Sequence, residues 1–216
     1  MSFNTEKYQL LSQQVPANIT IVAVSKTKPI ADLREAYDAG VRDFGENYVQ
    51  ELIEKQAALP KDIRWHFIGH LQSNKVKYIT PFVHLIHGVD SEKLLLEINK
   101  QGQKINRKIN CLLQVYIAKE ESKFGMDENE LLQALHTAES LDFVNINGLM
   151  GMASFSDNKQ LVCTEFNYLN HLFENLQPSK KILSMGMSGD YQEAIASGSN
   201  LIRLGSSLFG ERTYPK

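Results

Sequence analysis

A lysine stands directly after a short, strongly apolar segment of the chain. Residues 19–24 read ITIVAV, and Ser25 and Lys26 follow them. Such a segment predicts a strand that is buried on both faces. Because α/β proteins place their chemistry at the carboxyl ends of parallel strands, Lys26 is a candidate nucleophilic amine. The alternative is that Lys26 and Lys28 only begin a solvated loop.

Two glycine- and serine-rich segments near the end of the chain could bind an anion. Residues 185–190 read MGMSGD and residues 205–207 read GSS, and each leads into a predicted helix. Backbone N–H groups at such turns bind phosphate together with the helix dipole. Asp190 suits a helix cap and is expected to point away from any phosphate. The alternative is that these residues only cap two helices. The candidate phosphate contacts are Ser188, Gly205 and Ser206.

The elements that must position these residues alternate between strand and helix along the whole chain. Strict alternation predicts parallel strands joined by right-handed crossovers. Eight such units predict an α/β fold, a single (β/α)8 TIM barrel formed by one domain of residues 1–216, with an extra amphipathic helix at residues 6–14. The runner-up is an open doubly wound sheet, which would want a glycine-rich turn after the first strand, where the chain has Ser-Lys-Thr-Lys. The predicted strands are 19–24, 41–44, 64–68, 83–87, 110–117, 144–152, 181–185 and 201–204.

Closure of the barrel would bring Lys26 close to the glycine- and serine-rich segments near the end of the chain. The eighth and first strands are then neighbours, so a phosphate site at Gly205 and Ser206 would lie close to Lys26. An amine beside a phosphate site suits a cofactor that carries both an aldehyde and a phosphate. The sequence therefore predicts pyridoxal 5'-phosphate, held as a Schiff base on Lys26.

An arginine in an apolar run adds to this prediction. Arg203 lies within residues 201–204, which read LIRL, and a guanidinium is rarely buried without an acceptor. If Arg203 faces the cofactor ring, the acceptor is the pyridine nitrogen, which it would keep unprotonated, so that the ring becomes a weaker electron sink. The alternative is that Arg203 pairs with a carboxylate such as Glu46.

Six blocks of the chain resemble the pyridoxal phosphate homeostasis protein family. The family is similar to the barrel domain of alanine racemase but lacks that enzyme's second, β-rich domain. The blocks are AVSKTKP (23–29), FGENYVQE (44–51), WHFIGHLQSNK (65–75), GLMGMA (148–153), SMGMSGDYQEAI (184–195) and SGSNLIRLGSSLFGER (197–212).

The resemblance implies a role for each candidate residue. Lys26 matches the Schiff-base lysine and Arg203 the partner of the pyridine nitrogen. The other implied residues are Ser188, Gly205 and Ser206 at the phosphate, and Asn47, His66 and Met150 near the ring. The resemblance also implies a protein that binds, stores or delivers the cofactor inside the cell, with no established catalysis, no catalytic residue and no metal.

Two other classes of function are open to the same residues. A racemase of the alanine racemase type needs a proton donor on each face of the substrate carbon, and Lys26 could serve only one. The tyrosines that could serve the other are Tyr48, Tyr116 and Tyr191, each of which also has a simple packing role. A metal enzyme would rest on two histidine pairs, but no cysteine or carboxylate completes a set. Those histidines are His66 and His70, and His84 and His87.

Composition narrows the partners and the compartment. The net charge is −2 without a basic block, which argues against nucleic acid, and no apolar run is long enough for a membrane span. The first residues lack the apolar centre of a secretion signal, so we expect a cytoplasmic protein with Cys111 and Cys163 reduced. We also expect a monomer that makes transient contact with apo-enzymes dependent on pyridoxal phosphate. Lys123, in a loop at the same mouth, is a candidate second amine or phosphate contact, the alternative being a solvated loop lysine.

Overall fold

Eight parallel strands close into a barrel in the order β1 to β8, with helices between them. The structure is a computed structural model that describes residues 3–118, 124–176 and 181–210. The predicted closed α/β barrel is confirmed, and the open sheet is wrong because β1 pairs with β8 along four residues. The strands are β1 (Thr20–Val24), β2 (Asp43–Glu46), β3 (Arg64–Phe67), β4 (Leu85–Val89), β5 (Ile109–Gln114), β6 (Val144–Met150), β7 (Ile182–Ser184) and β8 (Leu201–Leu204).

Helices cover the outside of this barrel. In the described part of the chain, none of them is both long and apolar enough to cross a bilayer. A 3-10 turn, Ser73–Lys75, precedes the fourth helix. The helices are α1 (Thr5–Gln14), α2 (Ile30–Asp38), α3 (Val49–Ala58), α4 (Val76–Ile79), α5 (Glu92–Lys104), α6 (Glu128–Ala138), α7 (Lys159–Glu174), α8 (Tyr191–Ala196) and α9 (Ser206–Phe209).

Two strands begin two residues later than the sequence predicts. The sequence predicts β2 at 41–44 and β4 at 83–87, whereas β2 begins at Asp43 and β4 at Leu85. Val41 and Val83 are buried, but their N–H groups bind carbonyls of the preceding helical segments, at 3.0 Å and 2.8 Å. These valines therefore belong to buried helix-to-strand turns, which apolar pattern alone does not distinguish from strand. Because β2 ends at Glu46 rather than at residue 44, Asn47 directly follows a strand.

The extra helix α1 packs beside α9 at the end of β8. Asn4 caps α1 by accepting the N–H of Lys7, and its own N–H donates to the carbonyl of Leu208 at 2.9 Å. The rings of Phe3 and Phe209 lie 5.2 Å apart. These contacts tie the start of the described chain to the element that follows the last strand.

The barrel interior is partly polar. Apolar side chains of Val22, Leu85, Leu112, Met150 and Leu201 form one small cluster there, separate from the large core between strands and helices. Buried polar side chains also lie there, among them His66, His87, Ser184 and Arg203. Buried polar groups need hydrogen-bond partners, so this set constrains its own geometry.

Candidate functional site

A cleft of about 720 Å³ opens where the strands end. Its walls come from the segments that follow β1, β2, β3, β6, β7 and β8, as expected for the carboxyl face of a barrel. Six of the eight site residues predicted from the sequence line this cleft: Lys26, Asn47, Ser188, Arg203, Gly205 and Ser206. Lys123 falls outside the described residues.

The other two predicted residues, His66 and Met150, do not line the cleft. Met150 is 1% exposed and packs in the apolar interior cluster. His66 is 2% exposed and contacts Asp43 and His87 inside the barrel. For both residues, proximity to the cofactor ring stays a prediction. Each belongs to a strand rather than to the segment after it, and its side chain fills the barrel below the mouth.

A buried ionic cluster holds the turn that carries Lys26. Lys55 donates to the carbonyl of Ser25 at 2.8 Å, to Glu46 at 2.7 Å and to Glu51 at 3.0 Å, which uses all three of its protons. Glu51 in turn accepts the N–H of Thr27 at 2.8 Å. Thr27 has φ +63°, a left-handed conformation that is uncommon for threonine. The residues on both sides of Lys26 are thus anchored from below.

Glu46 shows how strongly this cluster is buried. Its side chain is fully buried and accepts from Lys55 and from the hydroxyl of Ser25, at 2.7 Å and 2.6 Å. Burial nevertheless raises the pKa of Glu46 to about 7, because desolvation outweighs these two donors. Glu46 is occupied by Lys55 and does not contact Arg203, so the alternative pairing considered from the sequence is wrong.

Two backbone N–H groups converge on one oxygen at the rim of the cleft. The N–H groups of Gly205 and Ser207 donate to Oγ of Ser188 at 3.2 Å and 3.3 Å. An oxygen atom at the position of that hydroxyl therefore receives hydrogen bonds from two backbone N–H groups. Asp190 stands at the N-cap of α8 but makes no side-chain cap bond, and accepts instead the N–H of Met187 at 2.6 Å.

Arg203 keeps hydrogen-bond donors available in the cleft. One Nη donates to the carbonyl and to the hydroxyl of Ser184, at 2.9 Å and 2.5 Å, and the other donates to the carbonyl of Gly151 at 3.0 Å. A guanidinium has five N–H donors. Within the described residues, Nε–H and one Nη–H of Arg203 have no protein acceptor. A neutral ring nitrogen in the cleft would suit them.

Asn47 carries an unpaired acceptor at the same cleft. Its Oδ1 is buried and has no hydrogen-bond partner in the described part of the chain. Gly69 makes room for this residue, because a Cβ on Gly69 would lie 2.4 Å from the Asn47 carbonyl oxygen and 2.8 Å from its Cα. An orphaned buried acceptor is costly, which is typical of a group whose partner is a ligand.

Sequence reasoning missed the wall formed by residues 152–157, which read MASFSD. Glu165 of α7 holds this wall by accepting both the N–H and the hydroxyl of Ser154, each at 2.7 Å. The serine-rich exit after a predicted strand was the available signal. Phe155 in this wall is 95% exposed at the mouth.

The features considered for other chemistries lie elsewhere. Of the three tyrosines considered as proton donors, none is among the described residues that line the cleft. Among those residues there is also no group of three or more His, Cys, Asp or Glu side chains arranged to hold a metal ion. Cys111 and Cys163 are free thiols, the first one buried.

The cleft therefore combines an amine, a guanidinium with donors to spare and a turn rich in backbone N–H groups. The amine can attack a carbonyl carbon, the guanidinium can donate to a ring nitrogen, and the turn can hold an anion. Together they suit one small molecule with an aldehyde at one position, a ring nitrogen and a phosphate.

Comparisons with known sequences agree with this chemistry. Residues 5–213 match the family model described as alanine racemase, N-terminal domain. The chain is 41% identical over 206 residues to the pyridoxal phosphate homeostasis protein of Schizosaccharomyces pombe, covering 92% of this chain and 86% of that protein. It is 40% identical over 217 residues to the protein of the same name from Synechocystis, covering 97% and 99%.

Solved structures show the same barrel. PipY of Synechococcus elongatus, solved with pyridoxal phosphate bound, is 37% identical, with a TM-score of 0.88 over 95% of this chain and 99% of that one. Alanine racemase from Bartonella henselae has a TM-score of 0.74 over 93% of this chain but only 56% of its own. At 18% identity, that likeness shows the fold alone.

Proposed function

The chain belongs to the pyridoxal phosphate homeostasis protein family, and from that premise we propose that it binds pyridoxal 5'-phosphate and manages its supply in the cell. The observation that carries the proposal is the meeting of Lys26, Arg203 and the turn at Gly205 in one cleft. These groups come from the two neighbouring strands β1 and β8. They match the aldehyde, ring nitrogen and phosphate of one cofactor.

The residues of the cleft fit the cofactor on three independent points. The N–H groups of Gly205 and Ser207 already converge on an oxygen, that of Ser188. Arg203 has donors without a protein acceptor among the described residues, and Asn47 has a buried acceptor without a donor. A polar ligand would satisfy these buried groups at little further desolvation cost.

Each protein group has its own task in holding the cofactor. When bound, the cofactor supplies an aldehyde that condenses reversibly with an amine. Lys26 provides that amine, on a turn that Lys55 and Glu51 anchor. Arg203 would donate to the ring nitrogen and keep it unprotonated, because a guanidinium has no proton to give up near neutral pH. Such a site holds the cofactor firmly and is poorly suited to carbanion chemistry.

Storage and delivery are favoured over racemisation by the composition of the cleft. A racemase would need a second proton donor opposite Lys26. No tyrosine is present among the described residues that line the cleft. Incubation of the loaded protein with L-alanine, followed by chiral analysis, separates the two functions. Formation of D-alanine that is lost in Lys26→Ala would establish racemisation instead.

Delivery requires contact with recipient proteins, and exposed aromatic residues at the mouth support it. Tyr48, Phe124 and Phe155 follow β2, β5 and β6 and are 54%, 60% and 95% exposed. We propose that a cytoplasmic monomer presents this rim transiently to apo-enzymes that need the cofactor. Phe124 does not line the cleft, so replacing Phe124 by Ser should slow transfer of the cofactor to an apo-enzyme while leaving cofactor affinity unchanged.

The binding proposal is tested by the covalent link itself. The protein mixed with pyridoxal phosphate should develop a visible absorption band, and borohydride should fix the cofactor onto a peptide containing Lys26. Lys26→Ala should abolish both signals. Lys28→Ala is the matched control, because Lys28 also lines the cleft but donates to the carbonyl of Phe209 at 2.7 Å. Fixation on a peptide without Lys26 would contradict the assignment.

A further inference from the structure

We infer that Ser184, His87 and His66 are positioning residues that form, with Asp43, a single hydrogen-bonded chain across the barrel interior and orient Arg203 toward the cofactor. This chain of four residues is called the interior relay below. Its existence and direction are properties of the ligand-free protein. Only its effect on the cofactor rests on the proposed function.

The relay is continuous from the cleft to the start of β2. An Nη of Arg203 lies 2.5 Å from Oγ of Ser184, and that Oγ lies 3.2 Å from Nδ1 of His87. Nε2 of His87 lies 2.9 Å from Nδ1 of His66, and Nε2 of His66 lies 3.0 Å from Oδ1 of Asp43. Each ring thus uses both of its nitrogens, so neither histidine has a nitrogen left for another partner.

The chemistry of the two ends sets one direction for every proton in the relay. Arg203 can only donate, so the hydroxyl of Ser184 accepts from it and donates onward to Nδ1 of His87. His87 must then carry its proton on Nε2 and donate to Nδ1 of His66, and His66 donates from Nε2. The relay ends on Asp43, a carboxylate that can only accept. Both histidines are consequently neutral Nε2–H tautomers.

Asp43 is held in its accepting state by a separate residue. Arg64 donates to both oxygens of Asp43, from Nε at 2.7 Å and from Nη2 at 2.5 Å. Burial alone would raise the pKa of Asp43, but the hydrogen bonds from His66 and Arg64 outweigh it and lower the pKa to about 2. The far end of the relay is therefore ionised at any ordinary pH.

The reverse direction would leave a buried proton without an acceptor. If His66 carried a proton on both nitrogens, it would donate to Nε2 of His87, which would then donate to Ser184. The hydroxyl of Ser184 would accept from both His87 and Arg203, and its own proton would lose its acceptor within the relay. Ser184 and His87 are both 0% exposed, so water does not replace that acceptor.

Electrostatics around His87 favour the same state. Burial lowers the pKa of His87 well below its usual value, and the positive charge of the nearby Arg203 acts in the same direction. Burial likewise lowers the pKa of Arg203 to about 10, although the negative charge of Asp190 acts in the opposite direction. A polarised chain that ends on an anion offers this guanidinium a stronger acceptor than an isolated hydroxyl would.

The relay fixes the orientation of the Arg203 guanidinium at the cleft. One Nη of Arg203 is fully used by the carbonyl and hydroxyl of Ser184. The planar guanidinium then has one orientation, in which Nε and the remaining Nη proton are the donors left for a ligand. Without the hydroxyl, Arg203 keeps two carbonyl acceptors and can turn.

Nitrogen NMR of the ligand-free protein labelled at histidine tests the direction of the relay. Nitrogen shifts distinguish a protonated ring nitrogen from an unprotonated one. Near neutral pH, His66 and His87 should both show a protonated Nε2 and an unprotonated Nδ1. The exposed His84, whose ring lies 5.4 Å from that of His66, is the internal control and should exchange between tautomers. An Nδ1–H tautomer or a doubly protonated ring at His66 or His87 would overturn the relay.

Variants of Ser184 and His66 test the effect of the relay on the bound cofactor. Ser184→Ala should weaken cofactor affinity about tenfold and shift the visible absorption band and its pH dependence. Ser184→Thr, which keeps the hydroxyl, should restore both, and His84→Gln should change neither. His66→Gln should also shift the band, although two residues separate His66 from Arg203.

The outcomes separate the relay from the proposed function. If Ser184→Ala and His66→Gln match the parent in affinity and absorption, the positioning role is wrong even when the tautomers are as expected. If the parent binds no cofactor, the proposed function fails, and the tautomers alone decide the relay. Should Ser184→Ala fail to fold, His66→Gln and the parent's tautomers still give a decision.

Discussion

At the scale of single residues, the cleft is marked by polar atoms that the protein leaves without partners. Oδ1 of Asn47 is buried and unpaired in the described part of the chain, and Arg203 holds donors in reserve. Proteins seldom bury such groups without a reason. Under the proposed function, the cofactor would offer both an acceptor and donors to these groups.

Asn47 should therefore matter for binding and not for stability. Replacing Asn47 by Ala removes an acceptor that has no protein donor, so the free energy of unfolding of the ligand-free chain should change by less than about 1 kcal/mol. Cofactor affinity should fall roughly five- to tenfold, as for one lost hydrogen bond. Chemical unfolding and a spectroscopic titration measure the two effects.

The matched control for Asn47 is Asn147, whose Oδ1 is likewise buried and unpaired but which does not line the cleft. Asn147→Ala should leave cofactor affinity unchanged. Equal losses of affinity in both variants would show that the unpaired oxygen of Asn47 has no special relation to the ligand.

The ionised form of Asp43 should stabilise the folded protein, and this stabilisation should be lost in acid. Its pKa in the folded state is about 2, against an ordinary value of 3.8. The unfolded chain thus binds a proton more readily, so the stabilisation is fully present above pH 3.8 and is lost as the pH falls toward about 2. The difference corresponds to about 2 kcal/mol.

Urea unfolding at a series of pH values measures this effect. Asp43→Asn should lower the free energy of unfolding at neutral pH, and its deficit should narrow as the pH approaches about 2. Asp62→Asn is the control, because the side chain of Asp62 is 55% exposed in its pair with Arg42. A parallel pH dependence of Asp43→Asn and the parent would refute the assignment.

At the scale of elements, the segments after the strands are held by close backbone contacts. The segment after β3 passes so near the segment after β2 that Gly69 has no room for a side chain. The three-residue strand β7 pairs with β8 at one position, Ser184 with Leu201. Side-chain hydrogen bonds must therefore supplement the few backbone hydrogen bonds between β7 and β8.

Gly69→Ala should displace Asn47 and weaken the site. The added Cβ would lie 2.4 Å from the carbonyl oxygen of Asn47, so that backbone has to move. We expect lower cofactor affinity together with a lower melting temperature. Gly189→Ala is the control in the same cleft, because an added Cβ there meets nothing within 4 Å. If Gly69→Ala binds the cofactor like the parent, the two segments are not coupled.

Ser199 should stabilise the junction of β7 and β8. Its Oγ accepts the N–H of Met185 at 3.2 Å and lies 2.9–3.1 Å from three carbonyl oxygens of the two strands. Ser199→Ala removes a hydroxyl that bridges the two strands, although the N–H of Met185 keeps the carbonyl of Leu201 as an acceptor at 3.2 Å. The loss should cost about 1 kcal/mol of unfolding free energy, with faster amide exchange at Met185.

The control for Ser199 is the nearby Ser197, which is also buried but whose hydroxyl makes no hydrogen bond with the described residues. Ser197→Ala should be close to neutral. A similar loss of stability in both variants would mean that burial of a small side chain, not the bridging hydroxyl, accounts for the effect.

At the scale of the whole molecule, the barrel separates tasks by position. The groups proposed to contact the cofactor lie in or just below the segments after the strands, and the interior relay lies inside the barrel. The helices outside bury the apolar faces of the strands. A ligand that joins β1 to β8 through Lys26 and Arg203 should therefore stabilise closure of the barrel.

Cofactor binding should raise the melting temperature of the entire chain. At a free concentration of about 100 times the dissociation constant, binding adds about 2.7 kcal/mol. For a chain of this size that corresponds to roughly 5–10 °C. The shift should shrink strongly in Lys26→Ala and less in Ser206→Ala. Differential scanning fluorimetry measures the shift in melting temperature. If Lys26→Ala keeps the full shift, the main stabilising contact lies elsewhere.

The sequence by itself determined the architecture and most of the cleft. Alternating apolar segments and helices predict the barrel because each pattern depends on neighbouring residues only. The position of Lys26, Ser188 and Gly205 after predicted strands was sufficient to bring them to one mouth. Closure then follows from counting eight units, without knowledge of any side-chain contact.

Only the tertiary structure decided which groups meet inside. His66 and Met150 follow the family's motif positions, yet their side chains fill the interior rather than the cleft. Arg203 binds Ser184 and a carbonyl instead of Glu46, because Glu46 is already held by Lys55. Such partnerships depend on strand register and side-chain direction between distant residues, which local periodicity does not encode.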